Sequence, residues 1–424
     1  MNSYLENNIS TEELESEAKI IFKKDISGSS LSFGCACLYN LVEKQNYQKV
    51  TLDFTNVEHA YPDFMLPFIA QVRGYRFHRN IDFLTELPKS FTAKRFFDNT
   101  NYTFFLKGEG DIRRSPYYQN IPAQTFKDED EQFEVVNRLL EWLLGTVKEL
   151  KRDDLKAFEW ALAEITDNVI THAEDPLGGL VQAGYFRKNN TVQFVICDAG
   201  IGIPTSLRID SEYASLTDRD AVVKAIEESV TGKKSTNQGN GLYGTYELAR
   251  HSEGQFSIRS GYGLLYLDKK NMPVIEDSKI PFNGTVIVCN LKLGNADLIA
   301  QALKIGGQSH EISYDYLDQI SGEETDTTRI ILVNENSGFA SRRKAAPLRQ
   351  KVINIVKTTG KKIILDFRDV HIISSSFADE FLAKMFDEFG PIIFMQKISI
   401  KNANKTVAAL LDRAVLLRMS QNGK

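Results

Sequence analysis

Two stretches of this chain lie 313 residues apart and read as copies of each other. KVTLDFTNVEHAYPDF from Lys49 lines up without a gap on KIILDFRDVHIISSSF from Lys362, so that Asp53 falls on Asp366, Phe54 on Phe367, Val57 on Val370 and Phe64 on Phe377. The surroundings repeat too. Each copy is preceded by an amphipathic helical run, around Leu31–Glu43 and Pro347–Lys357, and before that by a short apolar strand, Ile20–Phe22 and Ile330–Val333. Each is followed by an apolar helix, a strand (IDFL at Ile81, ISI at Ile398) and another helical run. An apolar helix face must find a sheet to cover, so three strand–helix steps within ~90 residues predict a small α/β fold at each end.

A repeat at both ends leaves the middle as a unit of its own, and 424 residues exceed what one hydrophobic core usually serves. The expected layout is an α/β domain over 1–107, a central domain over 108–297, a linker over 298–325 and a second small α/β domain over 326–424. A net charge of −5, spread without long single-sign blocks, argues against a dedicated nucleic-acid binder. No apolar run reaches the ~18 residues a membrane span needs, and the polar start MNSYLENNIS is unlike a signal peptide, so no membrane and a cytoplasmic location are expected. Cys35, Cys37, Cys197 and Cys289 fit neither a zinc nor a redox spacing and read as buried, reduced thiols; the six scattered histidines predict no transition metal.

Between the repeats, AFEWALAEITDNVITHAED carries Phe158, Leu162, Ile165 and Val169 on the buried face of a helix. Glu164, Asn168 and His172 recur every fourth residue beside it, and at ~100° per residue they project to one side. The amide oxygen suits Mg²⁺, a hard ion that keeps several waters, and the carboxylate can take a proton from an attacking group. Alone, such a stripe is more often a solvated helix face than a site. Three further segments change this. FVICDAGIGIP is a buried strand ending on Asp198, which can accept from the exocyclic amine of adenine, while Gly200 and Gly202 let backbone approach the ring. NQGNGLYGTYELA puts Gly239, Gly241 and Gly244 directly before a helix, whose free N–H groups can hold phosphate oxygens. NGTVIVCNL places Gly284 and Thr285 at the start of another strand, where the hydroxyl can assist Asp198. No P-loop motif is present.

In this order the four segments resemble the N, G1, G2 and G3 boxes of the GHKL superfamily, which includes gyrase and the histidine kinases, over roughly Gln132 to Leu293. The resemblance implies a mixed sheet with helices on one face and an ATP and Mg²⁺ site. In that site Glu164 is the catalytic carboxylate, Asn168 the metal ligand and Asp198 the adenine ligand. Gly200 and Gly202 form the adenine-side turn, and Gly239, Gly241, Leu242 and Gly244 the phosphate loop. Thr285 supports Asp198, and His172 belongs to the nucleotide site. Residues 205–238 stand where the family keeps a mobile lid, from which Lys233 or Lys234 can reach a γ-phosphate; a solvated loop is the plainer reading of the two lysines. E-x-x-x-N-x-x-x-H is most similar to the N-box of the anti-sigma-factor serine kinases.

The C-terminal copy, LDFRDVHIISSSFADEF, resembles the STAS-like family, in which a strand leads to an Asp-Ser-Ser-Gly turn whose first Ser accepts phosphate from a kinase. By position Ser374 stands for the Asp, Ser375 for the phosphoacceptor, Ser376 for the next Ser and Phe377 for the Gly, so two of four depart. The N-terminal copy has Tyr61, Pro62, Asp63 and Phe64 there, with no hydroxyl at the acceptor position. The chain as a whole is expected to be α/β (α+β): a central GHKL-type domain between two STAS-like ones. The expected function is an Mg-ATP-dependent regulator that hydrolyses ATP or passes its γ-phosphate to Ser or Thr of a STAS-type or partner protein. The alternative is an ATP-gated dimerisation or docking clamp on an effector protein, with a homodimer left open.

Overall fold

The computed structural model describes residues 8–13, 16–114, 120–228, 230, 241–295, 297–305, 308–309, 316, 326–335 and 338–422. It is a mixed α/β structure. The N-terminal segment runs β1 (Ile9–Glu13), β2 (Ala18–Ile26), α1 (Gly28–Tyr39), β3 (Lys49–Ala60), α2 (Pro62–Arg79), β4 (Asp82–Glu86), α3 (Phe91–Asn99) and α4 (Tyr102–Lys107). Its sheet has the order β1-β2-β3-β4, parallel except for β1. Pro62 opens α2, where its missing N–H costs nothing, and Asn80 closes the helix in a left-handed conformation at φ 54°.

The central segment runs β5 (Gln124–Phe126), α5 (Glu129–Thr146), α6 (Arg152–His172), β6 (Gly179–Phe186), β7 (Thr191–Cys197), α7 (Gly202–Leu207), α8 (Asp218–Ala225), α9 (Gly241–His251), β8 (Gln255–Leu267) and β9 (Pro273–Lys292). Short α10 (Leu298–Ala302) and the ribbon of β10 (Lys304–Ile305) and β11 (Gln308–Ser309) come after it. The five-stranded sheet, in the order β5-β6-β7-β9-β8, is antiparallel at every pairing. That differs from the mixed sheet expected. Tight reversals at Arg187–Asn190 and Asp268–Met272 join its neighbours, and such turns can only produce antiparallel pairs.

The C-terminal segment runs β12 (Thr327–Ile331), α11 (Leu332–Glu335), α12 (Arg342–Thr359), β13 (Lys362–Asp366), α13 (Ser375–Ala378), a π-helical turn (Asp379–Ala383), α14 (Lys384–Lys397), β14 (Ile398–Lys401) and α15 (Lys405–Asn422). Its three strands are parallel, with β13 in the middle. The expected strand through Val333 stops at Ile331, and Leu332 and Val333 turn into a helix. Among the described residues no helix is long and apolar enough to cross a membrane. All four cysteines are buried thiols without a disulfide.

The repeated residues occupy repeated places. Phe54, Phe64, Val57 and their partners Phe367, Phe377 and Val370 are all core residues. Asp53 lies in β3 where Asp366 ends β13, each accepting the backbone N–H two residues on, from Thr55 at 2.8 Å and Arg368 at 3.0 Å. Each is also paired with a cation from the preceding strand of its sheet, Lys19 at 2.8 Å and Arg329 at 3.1 Å.

The chain packs as two compact units, Met1–Val136 with Trp160–His310, and Asn137–Glu159 with Glu311–Lys424. In the first, the N-terminal segment and the central sheet share one core. Phe22 stacks on Phe54 with centroids 4.5 Å apart, and the same cluster takes in Leu180, Val195, Cys197 and Val286. By strand alternation these four lie on one face of the sheet. Phe256, which belongs to the other face, meets Tyr246 of α9 at 5.6 Å. Both faces are therefore covered, one by α9 and the other by the N-terminal segment, where helices on one face had been expected.

In the second unit the fully buried Asn354 of α12 donates to the carbonyls of Leu144 and Val147 at 2.7 and 2.8 Å, satisfying the end of α5. Lys351, on the same helix, pairs with Glu335 at 2.7 Å and Glu141 at 3.6 Å.

Candidate functional site

The four segments singled out by spacing meet in the first unit. Glu164 and the first residue of α9 are in contact: a methyl group on Gly241 would collide with the Glu164 carboxylate. One turn further, Gly244 lies where any side chain would strike the Trp160 indole and Leu303. Helix α9 can approach α6 this closely only because both positions are glycine. Leu242 is half-buried and packs on the cluster of Leu207, Tyr213, Ala221 and Ala225.

At the far end of α6, the Ala173 carbonyl accepts from Ile201 N–H at 2.9 Å and lies against Gly200, so the helix ends on the turn after Asp198. His172 Nδ1 is 3.5 Å from Ser206 Oγ on α7. Glu164, Asn168 and His172 are all partly exposed, as a site wall requires. Burial, with the neighbouring Asp167 charge, raises the Glu164 pKa, which makes it a stronger proton acceptor.

Asp198 is 4% exposed at the end of β7. Its Oδ1 accepts from Gly200 N–H at 2.9 Å and Thr285 N–H at 3.3 Å, and among the described residues Oδ2 accepts from no donor. Burial pushes the carboxyl up to about 7, against these two hydrogen bonds, and the nearby Asp175 charge adds to the rise. Oδ2 keeps the residual exposure of this otherwise buried carboxyl, so a ligand donor can reach it. Gly284 has φ 88° and packs on the Asp198 carboxyl, 2.7 Å from Oδ1 to where a Cβ would stand, so only glycine fits. Thr285 supports Asp198 through its backbone. Its hydroxyl, expected to do so, is instead 3.2 Å from Ser260 Oγ.

Ser260 was not legible in the sequence. It is fully buried, donates to the Gly284 carbonyl at 2.7 Å and accepts from Ile203 N–H at 2.9 Å, fastening the turn after β7 and the bulge within β9 to β8. Gly202, at φ 75°, leaves it room. Asp175 was missed as well: its side chain is 1% exposed and it faces His78 at 3.4 Å. It lines a cavity of about 240 Å³ with Phe126, Val169 and Ile170, which none of the residues assigned from the sequence lines.

Gly239, Lys233 and Lys234 lie outside the described residues. Of the segment read as a lid, the described part is not a loop throughout. Thr217 caps α8, which packs on β8, and Asp218 holds Tyr262 N–H at 2.8 Å and Arg208 at 2.6 Å. Buried Ala221 and Val222 give α8 an apolar face that the polar average of the segment concealed.

In the C-terminal segment, Ser374 is the N-cap of α13 and accepts from Phe377 N–H at 3.0 Å. Ser375 is therefore free of the capping role and stands exposed at the first helical position.

Residues 344–408 match the model of a STAS-like domain of unknown function (DUF4325), a span from α12 into the start of α15 that includes the Ser374–Ser376 turn. No curated protein matches the chain.

Proposed function

We propose that the central domain binds an adenine nucleotide with Mg²⁺ in the manner of the GHKL superfamily, and that the nucleotide state regulates phosphotransfer to a STAS-type domain or partner. The observation that carries this reading is the open Oδ2 of buried Asp198, set where four segments distant in sequence converge. An exocyclic amine of adenine satisfies that oxygen. Gly241 and the N-terminus of α9 offer backbone N–H groups to phosphate. The donor set beside them is hard oxygen, the Asn168 amide and the Glu164 carboxylate, which fits Mg²⁺. Asn168 would hold the ion, which neutralises phosphate charge; Glu164 takes the proton from the attacking water or hydroxyl. Ser375, exposed and uncommitted, is the acceptor this reading favours.

One observation favours a second reading, an ATP-gated docking clamp. The N-terminal copy has Pro62 at the acceptor position and is built into the core of the central sheet, which makes it a support and not a substrate.

Incubation of the full chain with γ-labelled ATP and Mg²⁺ separates the two. Label on Ser375 is expected for phosphotransfer, whereas released phosphate with unlabelled protein supports the clamp. Glu164→Ala is expected to keep nucleotide binding and lose turnover by ~10²- to 10⁴-fold. Absence of ADP and ATP binding by calorimetry at millimolar nucleotide would end both readings.

A further inference from the structure

Helix α2 of the N-terminal segment lies against the sheet face behind Asp198, and three of its residues meet the turn after Asp198 and the bulge of β9 that flank that carboxylate. Gln71, 5% exposed, makes two hydrogen bonds to the backbone of Asn283: Nε2 donates to the carbonyl at 2.7 Å, and Asn283 N–H donates to Oε1 at 3.3 Å. Tyr75, one turn on, engages the Asn283 side chain with its hydroxyl. Between them Gly74 lets Ala199 approach, 3.0 Å from where a Cβ would stand. Asn283 immediately precedes Gly284 and Thr285, which pack on and bond to Asp198, and Ala199 immediately follows it.

We infer that Gln71 and Tyr75 are positioning residues for Asp198, so that the N-terminal domain sets the affinity and base preference of the nucleotide site through the bulge of β9 at Asn283. This rests on the proposed nucleotide reading for its functional consequence, though not for the positioning itself. The bulge carries a left-handed glycine and two hydrogen bonds supplied from another part of the chain. Without those bonds the Asn283 N–H and carbonyl lose their part-buried protein partners and the bulge relaxes. The same helix brings Arg73 beside Cys197 and Asp175, and it is the Asp175 charge that bears on Asp198.

The test compares the full chain with Gln71→Met, which keeps the volume of the side chain and removes both hydrogen bonds, and with Tyr75→Phe, which removes one hydroxyl. Tyr102→Phe, which removes a bond to Gln182 at 2.8 Å on the same sheet face, is the control. Carboxyl-carbon NMR without nucleotide follows the titration of Asp198, whose carboxyl burial pushes up to about 7. Gln71→Met is expected to displace it by ~0.5 units or more, Tyr75→Phe in the same sense, and Tyr102→Phe not at all. Calorimetry with Mg²⁺ and ADP or GDP is expected to show roughly tenfold weaker ADP binding by Gln71→Met and a smaller ADP preference. An unchanged titration in both α2 variants overturns the inference. Failure of the unsubstituted chain to bind ADP overturns the nucleotide reading instead, and the positioning role is then decided by the titration. Should Gln71→Met not fold, Tyr75→Phe decides.

Discussion

Asp53 and Asp366 stand at the same point of the same small fold, each on the middle strand between two parallel neighbours, each held by a cation and by the N–H two residues on. The helices beyond them differ. In the N-terminal copy the next helix, α2, opens on Pro62 and buries its length against the central sheet, with Gln71 and Gly74 at the contact. In the C-terminal copy the next helix opens on a Ser374 cap with Ser375 exposed, and it is the helix before the strand, α12, that anchors the fold through Asn354. The strand framework repeats because it satisfies each copy internally. The helix surfaces diverge because each meets a different neighbour.

The largest effect that sharpens this comparison comes from truncating an equivalent aromatic in each copy. Phe54→Ala and Phe367→Ala each remove a fully buried ring and are expected to cost ~3–5 kcal/mol. Phe54 shares its core with the central sheet, so its variant should lower nucleotide affinity together with stability, whereas Phe367→Ala should leave affinity unchanged. Equal loss of affinity in both variants, by denaturant melts and calorimetry, would erase the distinction between support and anchor.

Next in size is Asn354→Ala, which leaves the Leu144 and Val147 carbonyls without a donor and should cost ~1–3 kcal/mol in a urea melt. Asn354→Leu should do no better, since it restores volume and not the donor.

The smallest effect is the acid dependence of the paired aspartates. At Asp366 the Arg368 guanidinium, with Asn402, holds the carboxyl well below the usual range. At Asp53 burial acts upward, but Lys19 and Thr55 outweigh it and the net shift is down. Both therefore stabilise above the unfolded carboxylate value of ~4, and that stability is lost as pH falls through each folded value. Asp198 has the opposite sign: its raised carboxyl favours the folded state at low pH, and this is lost as pH rises through about 7. Melting temperature against pH for Asp53→Asn, Asp366→Asn and Asp198→Asn should separate the three; a flat Asp198→Asn difference curve between about pH 5 and 8 would contradict the burial of its carboxyl.

Several elements could be read directly. The strand–helix order of both ends follows from hydrophobic period, and spacing marks Glu164 and Gly241, which touch, and Asp198 and Gly200, which share a hydrogen bond. Thr285 was marked for its hydroxyl and acts by its N–H, because main-chain donors carry no sequence signal. Ser260 and Asp175 were invisible for a related reason: a lone Ser on a strand, or Asp in a loop, has no periodicity to betray it.

Local pattern determined where the helices and strands form, which faces are apolar, and that the two ends share a fold, since these depend on residues a few places apart. The partners of those faces were decided only in three dimensions. That β7 pairs only with antiparallel neighbours, that the N-terminal copy closes the rear of the central sheet, and that Gln71 reaches a strand bulge 212 residues away depend on shape and hydrogen-bond matching between distant surfaces. A hydrophobic stripe states that it must be covered; it does not state by what.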